Sequence, residues 1–510
     1  MNNLKKMLTG IIAVMSVMTS AVSCSADKSQ KAGPLVVTES TSPETTTITE
    51  TTGNTDPTKP TESTTITEDT KAPTTAQTTT PEETHNPPMF LTTTTQVTEP
   101  IQLGDPVDIS NTEIVWLSDY DLNPELGKPR PVAVALFEDI FGGHIRYVQT
   151  SARDKYYTLS NMILSGEEVD MFEFEPEYFP KNVLSNQYQA LDPYFRSMGF
   201  NTGIWNGMYD VIDSLEYRGE HYVIPYSLSN PSVLTYSRKL IRDYNLDDPY
   251  ELYKQDKWDF NVFIKIMENY NKKTGKRAVN GSIGDMLIHS GGERIINYKN
   301  GKLINNINNA SVRYAELLMQ NMCRKSLYST SWNEYYTTNT LFFAYDSWTL
   351  GTSNVMNPNM DLMVVPAPKP NKTNGKYIMC DFDAKMLVKN STKGDAVATY
   401  IQCERIVATQ PTYLQGAKEY ALIPETDING NIKSYITEEQ YNALREFVDT
   451  AEVTPVFEYG YGMNDRMSGA GGIMDVLANH YLTNSANETD WKNLRNLYYD
   501  TINGVIEDYK

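Results

Sequence analysis

The sequence predicts an α/β protein of two lobes, and three observations lead there. Short β-rich runs alternate with helical patterns through the first part of the folded region, the signature of strand–helix–strand layers. The chain after Pro106 runs for roughly 400 residues, more than one hydrophobic core usually covers. Beyond Lys393 the pattern turns mainly helical, which suits helices closing the ends of two sheets.

Ahead of that region the chain has little to bury. Met1 to Lys6 gives a basic start, Met7 to Val22 an apolar stretch too short to span a bilayer, and Ala21-Val22-Ser23 places small residues before Cys24. That order describes a secretory leader over residues 1–23. From Thr41 to Pro100, 25 of 60 residues are Thr and 8 are Pro, with Phe90 the one aromatic, too little apolar surface to offset chain entropy. Residues 24–105 are therefore expected to form a disordered tether, whose stretch from Lys31 to Asp105 would span about 45 to 50 Å as flexible coil.

Charge narrows the function classes. The formal net charge is −20, and residues 1–115 hold 6 basic and 14 acidic residues, which leaves −12 on the rest. A surface this acidic argues against nucleic acid and other polyanions as partners. Cys323, Cys380 and Cys403 show no CxxC or Cys/His metal spacing, so at most one disulfide is expected; Cys323 and Cys403 fall in helical patterns, where a buried thiol is the default.

In chain order, strands are expected at Glu113–Leu117, Ile145–Gln149, Val169–Phe172, Tyr222–Ile224, Val233–Tyr236, Leu341–Tyr345, Leu362–Val365 and Lys385–Val388, and helices at Val132–Phe141 and Tyr157–Leu164. Asn300-Gly301 lies between two β-prone arms, Ile296 to Ile304, and accepts the positive φ angles of a tight hairpin turn. Later helices are expected at Ala396–Ala408, Glu438–Asp449 and from Asp490 onward, the second opened by a Thr437/Gln440 capping box. Asp259 reads as the N-cap of a helix whose apolar face carries Phe260, Phe263 and Ile264, which makes Trp258 structural, and Trp205 reads as core or rim.

An ordered set of phrases adds a resemblance. Trp116-Leu117-Ser118-Asp119-Tyr120-Asp121, Ser165-Gly166-Glu167-Glu168-Val169-Asp170-Met171-Phe172, Leu191-Asp192-Pro193-Tyr194, Arg218 to Tyr226, Leu234 to Lys239, Lys257-Trp258-Asp259-Phe260, Asn300-Gly301-Lys302, Asn339 to Phe343 leading to Trp348, and Asp361 to Pro366 follow one another. Together they resemble the extracellular solute-binding proteins of ABC importers, the group with maltose-type sugar binders. That resemblance implies a periplasmic-binding-protein-like fold: two α/β lobes around mostly parallel sheets, a hinge, and a ligand cleft between. Chain passages would fall near Tyr226–Ser232 and Pro366–Lys369, with lobe 1 from about 106–228 plus 367–435 and lobe 2 from about 229–366 plus 436–510. The leader is similar to a bacterial lipoprotein signal in which Cys24 becomes lipidated, although Ala21 stands where leucine is usual. The resemblance further implies a monomer without cofactor on the outer face of the cell membrane, with a carbohydrate ligand and an ABC permease as partners.

Ligands of parallel sheets sit beyond the carboxyl ends of strands. That rule selects Asp119 and Asp121 after the first strand, and Glu173 and Glu175 after the third, whose carboxylates accept charge-assisted hydrogen bonds from sugar hydroxyls. Aromatic rings supply a flat apolar platform for the C–H face of a pyranose. Trp348 stands first among them, because sugar-binding relatives commonly place a stacking tryptophan there; Trp332, Tyr336, Tyr226, Tyr459 and Tyr461 follow, while Asn230 and Ser229 could donate across the hinge. A lone carboxylate is equally explained by solvation, and a lone aromatic by the core.

Other classes leave weaker marks. Asp381 with Asp383, or Glu173 with Glu175, could serve as a glycosidase pair, yet two residues apart is not diagnostic of carboxyls facing across a bond. The folded part has no HExxH, GxSxG, SxxK or phosphate-binding loop signature. Asp427 to Asn431 is similar to a calcium loop but has Ile432 where that loop needs glycine, so a turn is favoured. No repeats suggest an adhesion stalk.

Overall fold

The computed structural model describes residues 107–510, except 125–129, 332, 334, 372, 470 and 484–487. The expected leader (1–23), Cys24, the tether (24–105) and Trp332 lie outside the described residues.

In chain order the strands are β1 (Glu113–Ser118), β2 (His144–Gln149), β3 (Met171–Glu173), β4 (Ser227–Ser229), β5 (Ser232–Ser237), β6 (Val279–Gly281), β7 (Ile296–Lys299), β8 (Lys302–Asn305), β9 (Phe342–Asp346), β10 (Leu362–Pro366), β11 (Tyr377–Ile378), β12 (Asp381–Asp383), β13 (Lys385–Leu387), β14 (Glu425–Thr426), β15 (Ile432–Ser434) and β16 (Thr454–Pro455). The first lobe is built on the sheet β13-β3-β1-β2, in which β1 runs parallel to β2 and β3, and β13 is antiparallel to β3. β1 is buried from Ile114 to Ser118, as a central strand covered on both faces must be. Helices Val132–Asp139 and Gly394–Thr409 pack on each other beside this sheet.

The second lobe is built on the sheet β10-β5-β9-β6. Here β6 and β9 are parallel, but β5 is antiparallel to both β9 and β10. The departure from a mostly parallel sheet follows from the route of the chain: β5 carries it into the lobe and β10 carries it out, so the two run in opposite directions. Gly281, at φ +94°, lets β6 lie against β9; a Cβ there would stand 2.2 Å from the Ala344 carbonyl oxygen. Helix Ile473–Thr483 packs on helices Ile283–His289 and Ala310–Arg324, and helix Glu438–Glu446 packs on β10.

Three passages join the lobes. β4 pairs antiparallel with β12, matching Ser227 with Asp383 and Ser229 with Asp381, then continues into β5 while β12 continues into β13. Asn230 turns the first passage at φ 42°, a left-handed conformation that a short polar side chain tolerates. The second passage leaves β10 through Pro366, Pro368 and Pro370, where proline keeps the chain extended. The third lies between helix Pro411–Ala421, which packs on helix Gly394–Thr409, and helix Glu438–Glu446, which packs on β10; β16 beyond it pairs with β11.

Most local signals hold. The Asn300-Gly301 turn has both residues at positive φ between β7 and β8, and Asp259 accepts the Val262 amide at 2.9 Å. Buried Trp258 donates its indole N–H to the Pro366 carbonyl at 2.8 Å, and Trp205 is wholly buried. Cys323, Cys380 and Cys403 form no disulfide among the described residues. Asp427 accepts the amides of Asn429 and Asn431, which makes that loop a side-chain-capped turn. Two strands differ. Tyr222–Ile224 forms no ladder, since Pro225 lacks a donor and the His221 carbonyl is taken by the Leu191 amide. The third strand begins at Met171 rather than Val169, because the Asp170 carboxylate accepts the Val115 amide at 2.8 Å and so stands in for a ladder bond.

The Thr437/Gln440 capping box is present, and the Gln440 amide also donates to the Leu362 carbonyl at 2.7 Å, which fixes the helix on β10. Thr437→Ala is expected to lower stability by about 1 kcal/mol, read as an earlier midpoint in urea unfolding; an unchanged midpoint would mean that the cap contributes nothing.

Candidate functional site

The carboxyl ends of β1 and β3 in the first lobe and of β9 in the second meet the β4/β12 crossing, and polar side chains collect there. On the first lobe the organising group is Lys155, in the first turn of helix Lys155–Ser165, with a side chain only 3% exposed. Its ammonium is bonded to Glu175, lies 3.2 Å from Glu173 and 3.9 Å from Asp119. Burial alone would lower its pKa, but Glu173, Glu175 and Asp119 outweigh that and hold the charge firmly. Burial pushes the Glu175 carboxyl up, against the Lys155 charge that favours its ionised form. A second buried cation, Lys385 on β13, lies 4.9 Å from the centre of the Trp116 ring and donates to the Tyr120 hydroxyl at 3.1 Å; Tyr120 in turn donates to Glu173 at 3.3 Å.

The crossing supplies the floor. Asp383 accepts both the Ser227 and Ser229 hydroxyls, and Asp381 accepts the Asn230 amide at 2.8 Å. Asp346, at the end of β9, accepts the Ser232 hydroxyl at 2.8 Å. Desolvation pushes the Asp383 and Asp346 carboxyls up, opposed by the serine hydroxyls. Asp381 keeps surface open to the space between the lobes, yet the protein around it displaces most of its water. Its carboxyl is pushed up to about 7 by that desolvation, against the Asn230 bond and with added repulsion from Asp383, Asp346 and Glu177.

The second lobe contributes Trp348, half-buried in the 3-10 turn Ser347–Thr349 directly after β9. Its ring stands edge-on to Tyr345 at 5.6 Å and to Tyr335 at 6.4 Å. Behind it, Tyr461 donates to Asp285 at the start of helix Ile283–His289, and the His289 imidazole reaches Glu458 at 3.0 Å. Burial alone would lower the His289 pKa; the Glu458 and Asp285 carboxylates more than reverse this.

The expected residues thus divide. Asp119, Glu173 and Glu175 converge on Lys155 at the strand ends of the first lobe, Asn230 lies at the crossing on Asp381, Trp348 follows β9 in the second lobe, and Tyr461 bonds to Asp285. Tyr336 and Tyr459 are corrections: both are wholly buried, Tyr336 in a small core with Phe343 and Leu362, Tyr459 with its hydroxyl on the Ser214 and Glu216 carbonyls. Tyr226 is likewise buried at 4% exposure, with a hydroxyl that has no hydrogen-bond partner among the described residues. Asp121 faces solvent and caps a turn by accepting the Asn123 amide at 2.9 Å. Sequence reasoning missed Lys155, Lys385 and Asp346. Asp346 had a signal in its place at the end of a strand; the two lysines had none beyond being lysines within apolar patterns. Among the described residues, no group of three or more His, Cys, Asp or Glu is arranged to hold a metal ion. A recess at the second passage, lined by Tyr253, Trp258, Lys369, Tyr377 and Val453, shares none of these residues.

Two α/β lobes joined by crossing strands, with a polar space between them, define the fold of the extracellular solute-binding proteins. The cyclic alpha-maltosyl-1,6-maltose binding protein of Arthrobacter globiformis is similar at TM-score 0.57 and 13% identity, over 78% of this chain and 100% of that one. The sugar-binding protein MalE of Xanthomonas citri is similar at TM-score 0.54 and 12% identity, over 78% and 98%. A family 1 extracellular solute-binding protein of Bifidobacterium longum subsp. infantis is similar at TM-score 0.54 and 14% identity, over 77% and 100%. At such identities the likeness is one of fold. No protein-family model matches the chain, and no curated protein matches it.

Because the Asp381 carboxyl holds its proton up to about pH 7 in the folded chain, whereas an unfolded aspartate ionises near about 4, the folded state binds more protons between those values. Asp381 therefore subtracts from stability as pH rises through that window, and the loss is complete above it. Asp381→Asn removes the penalty, so its gain in Tm over wild type is expected to be larger at pH 8 than at pH 5 by scanning calorimetry; an equal gain at both would show that Asp381 ionises normally.

Proposed function

We propose that this chain is a lipid-anchored extracellular solute-binding receptor that captures a neutral carbohydrate, an oligosaccharide, between its lobes and delivers it to an ABC-type permease. The observation that carries this reading is the composition of the space at the crossing. One wall offers carboxylates and the other offers the Trp348 ring, so a pyranose could place hydroxyl groups on the first and a C–H face on the second. Two of the proteins of similar fold are sugar binders by name, which supports the same ligand class. Lobe 1 would comprise about 106–228 and 367–435, lobe 2 about 229–366 and 436–510. Ligand bridging both would stabilise the closed state, because only there do both sets of contacts form.

Binding rather than catalysis is favoured by the fold, since two of the proteins that share it are binding proteins by name. Asp383 is held by two serine hydroxyls and Glu173 by Tyr120 and Lys155. Transport energy would come from a separate ATPase. Among the described residues no helix is long and apolar enough to cross a membrane, and attachment would lie with Cys24.

Calorimetry against soluble neutral oligosaccharides, peptides and amino acids should show heat with a sugar; binding to peptides alone would sink the carbohydrate reading. With that sugar, Trp348→Ala should weaken binding by more than ~1 kcal/mol if the ring stacks on ligand. Cys24→Ser in the bacterial host should shed the protein into the medium, and retention at the membrane would discard lipidation.

A further inference from the structure

Lys155 occupies a position that costs an ammonium twice. It opens a helix, the end at which the macrodipole disfavours a cation, and its side chain is 97% withdrawn from water, which also disfavours the charged form. What it faces explains the charge. Asp119 follows β1, Glu173 ends β3 and Glu175 lies two residues on, so three strand-end carboxylates converge on one buried ammonium.

The carboxylates are the more open partners, with side chains 21%, 12% and 24% exposed against 3% for the lysine. The acceptors therefore form the surface and the cation lies beneath. Lys385 supports Glu173 from the other side through the Tyr120 hydroxyl, so this carboxylate is tied to both buried cations. Part of the wall's negative charge is cancelled from below while its oxygens remain available above. Without Lys155 the same three groups would repel one another, and they would attract any multiply charged cation entering the space.

We propose that Lys155 is a positioning residue that sets the charge selectivity of the first-lobe wall, turning three carboxylates into hydrogen-bond acceptors for a neutral polyhydroxylated ligand and away from polycations. The proposal rests on the receptor reading above, but its test does not need the sugar. Spermine would be titrated calorimetrically into wild type, Lys155→Met, Lys155→Arg and Lys272→Met, the last making the same change in net charge at an exposed site on helix Phe260–Thr274. Lys155→Met should bind spermine about tenfold more tightly than Lys272→Met, and Lys155→Arg should match wild type. Equal spermine affinity in Lys155→Met and Lys272→Met overturns the proposal. Should Lys155→Met not fold, Lys155→Gln, which keeps a donor for Glu175, carries the same comparison with the same two outcomes. Absence of any neutral sugar binding by wild type would sink the receptor reading alone, since the spermine comparison still decides the role of Lys155.

Discussion

The pairing of β4 with β12 is the constraint on which the rest depends. Each strand belongs to a passage between lobes, and their antiparallel register puts Ser227 opposite Asp383 and Ser229 opposite Asp381. Because side chains alternate along a strand, Asp381 and Asp383 share one face while Phe382, 5% exposed, takes the other and packs edge-on against Phe457 at 5.5 Å. The crossing thus has a polar face and an apolar face. A slip of one residue would turn both carboxylates into the apolar side, which the aromatic packing and the serine bonds together resist.

From that geometry the electrostatics follow. The crossing brings Asp381, Asp383 and Asp346 near one another and, among the described residues, no lysine or arginine is bonded to any of them; hydroxyl and amide donors hold them instead. Such neutral donors favour the ionised form, but removal from water outweighs them, and the carboxyls hold their protons more tightly. The first-lobe wall takes the other course, with a buried ammonium under its carboxylates. Two responses to the burial of carboxylates therefore stand side by side, one by proton retention and one by ion pairing.

How much of this was legible in the sequence depends on the range of the interaction. The strand–helix alternation, the Asn300-Gly301 turn, the Asp259 cap and the Thr437/Gln440 box are local, and each is encoded within a few residues. The convergence of Asp119, Glu173 and Glu175 was readable as well, because it follows from strand ends. Lys155 was not, since nothing near it in the chain shows that its partners lie up to 36 positions before and 20 after it. Tyrosines were misread for a related reason. A phenol looks alike on a cleft wall and in a core, and only its partners tell them apart: Thr340 for Tyr336, Ser214 and Glu216 for Tyr459.

The segment Phe457-Glu458-Tyr459 shows how far that ambiguity reaches. With Gly460-Tyr461-Gly462 after it, this aromatic stretch reads as a ligand loop, yet its residues alternate between lobes. Phe457 packs on Phe174 and Phe179 of the first lobe, and Tyr459 bonds to carbonyls of the same lobe. Glu458 between them points to the second lobe, where it accepts the Ile295, Ile296 and Gly460 amides and meets His289. Three amides on one buried carboxylate make a strong anchor, because removing the acceptor would leave buried donors unsatisfied. The segment after β16 is therefore fastened to both lobes within three residues, unlike the first passage, where Asn230 and Pro231 separate the paired strand from the next.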